Sequence, residues 1–93
     1  MIYIIAKGAV AVTVCGEHLL VKTDKNPSVG CNIRQVNEEA KTLFLFMQEN
    51  PDREDVIRRL TEHYGIDEKT AESAYDGFGA QLATEGFAEG RDA

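Results

Sequence analysis

The sequence contains no tryptophan, two prolines, two cysteines, two histidines and ten lysines and arginines among 93 residues. So little proline excludes collagen-like and mucin-like chains, and a hydrophobic fraction of 43% excludes a fully disordered one. The shortage of basic residues excludes more, because sixteen acidic side chains give a net charge of −6 and remove the generic attraction to phosphate backbones and anionic lipid. Long apolar runs are also missing. The longest, residues 2–6 and 43–47, fall far short of the roughly 20 residues a bilayer-crossing helix needs. No basic segment followed by an apolar one and a small-residue cleavage site opens the chain, so a cytoplasmic protein is expected. Cys15 and Cys31 lack the CxxC or Cys/His spacing of a zinc site and read as buried free thiols in a reducing compartment.

What is present is a chain of two characters. Residues 1–36 carry Lys7, Lys22, Lys25 and Arg34 against Glu17 and Asp24, a net of +2, which leaves −8 for residues 37–93. Periodicity changes at the same boundary. Residues 3–7, 10–15 and 19–23 are short β-branched or aliphatic runs separated by Gly8 and by Gly16-Glu17, the punctuation of a three-stranded antiparallel meander. Residues 24–35, with Asn26-Pro27 and Gly30, read as a loop that crosses to the helices.

A helical period follows. Asn37 is the expected cap of a first helix in which Ala40, Leu43, Phe44 and Met47 share a face, and Asn50-Pro51 stops it. Asp52 caps a second helix, with Val56, Ile57, Leu60 and Tyr64 inward and Gly65 as its left-handed exit. Asp67 opens a third, lined by Ala71, Ala74, Tyr75, Phe78 and Leu82 and ended by Gly86, with Phe87 folding back over the last turn. The expected fold is one α+β domain over residues 1–93, a three-stranded antiparallel sheet followed by three helices in a winged-helix-like arrangement.

Reactive groups are not placed for catalysis. His18 and Cys15 are separated by a hairpin turn and lack a third orienting residue, and Glu38-Glu39, Glu54-Asp55 and Asp67-Glu68 read as first helical turns that complement the dipole, not as metal ligands. Neither an enzymatic activity nor a metal or cofactor is expected. The rival suggested by the helices is a winged-helix DNA-binding regulator. Its recognition helix would carry Asp67, Glu68, Glu72, Asp76 and Glu85 against Lys69 alone, which repels phosphate. The third strand, by contrast, is expected to leave an open edge suited to an added peptide strand, unless the 24–35 loop or self-association into a homodimer covers it.

The run Gly16-Glu17-His18-Leu19-Leu20-Val21, then Val36-Asn37-Glu38-Glu39-Ala40 with Leu43 and Phe44, resembles the PqqD-like family, the small D proteins of pyrroloquinoline quinone biosynthesis. Asp52 to Ile57 with Leu60, Tyr64-Gly65-Ile66-Asp67, and the closing Phe78, Leu82 and Gly86-Phe87 resemble it too, so the likeness spans about residues 10–88. The longer 24–35 loop and Glu49-Asn50-Pro51, where a glycine turn is more usual, depart from the pattern. The resemblance implies a recognition element for ribosomally made, post-translationally modified peptides. Such a protein is a chaperone that binds a precursor's leader as an added strand and presents it to a modifying enzyme, often a radical S-adenosylmethionine protein. Carried onto this chain, it implies His18, Leu19, Leu20, Val21, Lys22 and Thr23 as the pairing edge and Tyr75, Phe78, Gly79 and Leu82 as the helical wall. Gly77 or Gly79 would then remove bulk on the cleft side, the competing reading being that a glycine, Gly77 first, permits close helix packing. Lys22 and Lys25 beside the edge suggest a leader with acidic residues.

Overall fold

The computed structural model describes residues 2–23, 31–50 and 52–92. Its elements run β1 (Ile2–Ile5), β2 (Ala9–Val14), β3 (Glu17–Thr23), β4 (Cys31–Val36), α1 (Glu38–Glu49), α2 (Arg53–Tyr64), α3 (Glu68–Thr84) and β5 (Ala88–Arg91). The expected α+β class, a three-stranded antiparallel sheet followed by three helices, is what the chain forms, but with different strands. The sheet order is β2-β3-β4, while β1 leaves the meander and pairs with β5, from Ile2↔Arg91 to Ile5↔Ala88.

Residues 31–35, expected within a loop, form with Val36 the strand β4, which pairs with β3 from Thr23↔Cys31 to His18↔Val36. Asn32, Arg34 and Gln35 hide it from a propensity reading, because strand preference measures fit to a half-buried surface and an edge strand needs only its backbone to pair. The rest of the expected loop, 24–30, lies outside the described residues. β5 escapes a reading by periodicity for a different reason. Four residues are too short to show a period, and the partner is at the other end of the chain.

The β2–β3 hairpin closes at Val14↔Glu17 through Cys15 and Gly16, with φ of 52° and 78°. Two consecutive positive φ values match the twist of the flanking strands. Cys15 is therefore exposed at a turn tip, which corrects the expectation of a buried thiol. Side chains alternate across the sheet. The inner face sends buried Ala9 and Leu20 into the core with Ala11 and Val36 at its margin, whereas the outer face leaves Val10, Val14 and Ile33 exposed at 46%, 52% and 64%.

The helices follow their caps. Asn37 Oδ1 accepts from the Ala40 N–H at 2.8 Å, Asp52 Oδ1 from Glu54 at 3.1 Å, and Asp67 Oδ1 from Thr70 at 2.7 Å. The side-chain and backbone hydrogen bonds of Thr70 hold the Asp67 carboxyl below its ordinary value. A depressed carboxyl supports the cap above the unfolded value and loses that support as pH falls through the folded one. Gly65 exits α2 at φ 64°, and Phe87 folds back, buried, with its N–H on the Leu82 carbonyl at 2.8 Å. Among the described residues no helix is long and apolar enough to cross a membrane.

The two glycines of α3 separate cleanly. A Cβ at Gly79 would overlap the Tyr3 ring, so Gly79 is the point where β1 lies against the helix backbone; at Gly77 nothing stands within 4 Å. The packing role expected first of Gly77 thus belongs to Gly79. Gly77→Ala is expected to raise stability by about 0.5–1 kcal/mol through helix propensity. Gly79→Ala is expected to lower it by about 1–3 kcal/mol through overpacking. Urea denaturation of the two variants checks this opposition, and an equal effect of both would contradict it.

Candidate functional site

The residues first expected to form a cleft divide into three groups. Leu20, Tyr75 and Leu82 are core, exposed by 0%, 1% and 0%. Tyr75 spans the interior, its hydroxyl accepting from the Tyr3 N–H at 2.9 Å and its ring 5.9 Å from that of Tyr3. Burial raises the Tyr75 pKa, partly offset by the Tyr3 hydrogen bond and by the Arg53 guanidinium stacked 5.4 Å from its ring centre. Gly79 faces Tyr3 and not a cleft. A helical period fixes which stripe of α3 is buried, and these residues are that stripe rather than its flank.

The second group is the expected pairing edge, and it is not an edge. β3 is hydrogen-bonded on both sides, with Leu20 opposite Ala11 on β2 and Arg34 on β4, so His18, Leu19, Leu20, Val21, Lys22 and Thr23 have no free ladder to offer. With residues 31–36 paired as β4, β3 is the middle strand of the sheet and not its last. His18 is occupied within the sheet, its Nδ1 lying 3.0 Å from Thr13 Oγ1, which also accepts from Lys41 Nζ. Lys22 lies on the same face as Leu20 and is half-buried, and Lys25 lies outside the described residues.

Phe78 is the third group. It is half-buried and lies on the flank of α3 where Ala74, Phe78, Gln81 and Glu85 follow one another at spacings of four, three and four. The last two residues of that row meet β4. Arg34 donates from Nη1 to Glu85 Oε2 and from Nη2 to Gln81 Oε1 at 3.1 Å, across a shallow hollow of about 390 Å³. Sequence reasoning missed Arg34, Gln81 and Glu85, because their meeting depends on a strand it read as loop. The outer edge of β4 pairs with no strand among the described residues. Among the described residues the unpaired edge is therefore one strand further out than expected, and Arg34 ties its strand to α3.

The first two residues of the row line a second space. Ala74 and Phe78 face Glu39, Ala40 and Leu43 of α1, with Leu60, Tyr64 and Ile66 closing an apolar groove of about 500 Å³. Another hollow, about 420 Å³ on the α2–α3 surface, is lined by Arg53, Arg58, Glu54 and Glu72. Its arginines are already committed, Arg53 to Asp76 at 3.0 Å and Arg58 to Asp55 at 2.8 Å. No group of three or more His, Cys, Asp or Glu among the described residues could hold a metal ion.

The split between core and cleft is measurable. Tyr75→Phe leaves the buried Tyr3 N–H without its acceptor and is expected to cost about 1–3 kcal/mol. Arg34→Ala removes a partly exposed pair and is expected to change stability by less than about 1 kcal/mol. Denaturant midpoints of the two variants test this, and equal losses would place Arg34 in the framework. Comparison with protein-family models, with curated proteins and with solved structures finds no match to this chain.

Proposed function

We propose that the chain binds the leader segment of a ribosomally synthesised precursor peptide by strand addition along β4, and presents it to a modifying enzyme such as a radical S-adenosylmethionine protein. The observation that carries this reading is the outer edge of β4, unpaired among the described residues, on a strand that Arg34 ties to Gln81 and Glu85 of α3. An extended peptide gains main-chain hydrogen bonds from such an edge, and side-chain selection from whatever packs next to it. The PqqD-like resemblance supports the same partner, with the pairing strand moved from β3 to β4.

The reading makes the protein a cytoplasmic peptide chaperone without a reaction of its own. The polar group beside the β2–β3 hairpin is engaged within the fold, Thr13 with His18 and Lys41. The acidic surface disfavours the rival reading as a DNA regulator. Glu68, Glu72 and Asp76 on α3 would face a duplex with Lys69 as the sole cation of that helix, whereas duplex affinity rests on several phosphate contacts.

Selection of a random dodecapeptide display library on the immobilised chain tests this, followed by amide exchange of the chain with the enriched peptides. Slowed exchange across residues 31–36, with no mobility shift of duplex DNA at low salt, is the expected result. Binding confined to the helix surfaces, or a duplex shift without peptide binding, would overturn it.

A further inference from the structure

We infer that the apolar groove between α1, α2 and α3 is an anchoring subsite for the added strand, taking an apolar side chain of the peptide beside a lysine or arginine that pairs with Glu39. The inference rests on the strand-addition reading and adds to it the chemistry of the segment recognised.

Continuity places the groove on the peptide's path. The row Ala74, Phe78, Gln81, Glu85 is one face of α3, its far half joined to β4 by Arg34 and its near half lining the groove. The chain itself makes the same journey: β4 ends at Val36, and Asn37 caps α1, whose first turns supply Glu39, Ala40 and Leu43 to the groove. A strand laid along β4 past Val36 therefore arrives at the groove mouth. The space, about 500 Å³, suits one large aliphatic or aromatic side chain, and its floor is Leu43 and Leu60.

Charge decides what accompanies that side chain. Glu38 and Glu39 stand in the first turn of α1, and two carboxylates outweigh the roughly half positive charge of the helix end. Asp67 lies seven residues before Ala74 and so on the same side of α3. The arginines of α2 are paired elsewhere, Arg53 with Asp76, Arg58 with Asp55 and Arg59 with Glu49, and the Lys41 ammonium is turned to Thr13 of β2. Glu39 is in none of the ion pairs of the described residues. A negative rim over an apolar floor selects an apolar segment with a cation at its flank. This is the opposite sign to the acidic leader suggested by Lys22 and Lys25.

The test uses the full chain, 15N-labelled, titrated with 4-phenylbutylamine and with 4-phenylbutanoate. The amine is expected to shift amides at residues 39–43, 60–66 and 74–78 and to bind at least tenfold more tightly than the carboxylate. Glu39→Gln should shrink that preference to under threefold. Ala74→Phe, at an exposed helical position, should fill the groove and abolish binding of both while leaving the spectrum folded. Equal binding of the two probes, shifts elsewhere, or no effect of Ala74→Phe would overturn the subsite. Display-selected peptides provide the second arm. Enriched sequences that slow exchange at residues 31–36 but lose no affinity on replacing their apolar and basic residues would refute the anchor while strand addition stands. Probe binding without any peptide protecting 31–36 would refute the strand as the occupant.

Discussion

Tyr3 against Gly79 is the contact on which the rest of the molecule depends. The ring takes the place of a side chain on α3, and the Tyr3 N–H is returned to the same helix through the Tyr75 hydroxyl at 2.9 Å. These two interactions bind the first strand to the last helix across most of the sequence. β1 in turn carries β5, whose approach is fixed by Phe87 docking under the end of α3 and by the Ala6 N–H on the Phe87 carbonyl at 2.9 Å. Because a helix can be approached this closely only where it has no Cβ, one glycine sets the depth of the whole β1–β5 ribbon.

With α3 held from that side, its opposite flank is left for other work. β4 is the outer strand of the larger sheet, and the Arg34 side chain reaches from it to Gln81 and Glu85. Arg34 sits on the inner face beside Leu20, so its stem continues the core while its head group reaches the helix. Arg34 thus joins a satisfied framework to a strand whose outer edge is unpaired among the described residues. An edge of this kind is a liability unless covered or used, and exposed Ile33 in its middle, at 64%, gives a pairing chain apolar surface to cover.

The helices were legible in the sequence because their signals are local. Asn37, Asp52 and Asp67 cap them where spacing predicts, and Asn50 and Gly65 end the first two. The class and the number of strands in the main sheet were legible as well. Their identity was not, since β1 is more strongly apolar than β4 but finds its partner at residues 88–91, and no local pattern reports so distant a pairing. The site suffered from that error in a particular way. The strand that ends the sheet is β4, closing at Val36 and linked to α3 through Arg34, and not β3 with Thr23 at its end. On α3 the buried stripe was readable at Ala71, Tyr75 and Leu82, whereas Ala74, expected with them, is exposed, and only Phe78 of the expected wall belongs to the flank beside the stripe.

The central claim is that a peptide becomes the fourth strand of the sheet at β4. Isotope-filtered nuclear Overhauser spectra of the labelled chain with an unlabelled selected peptide test it most directly. Cross-strand contacts between peptide backbone protons and those of residues 32–35, joined by peptide contacts to the Phe78 ring, are the predicted result. Contacts confined to β2 or to the α2–α3 surface, with none to β4, would contradict it.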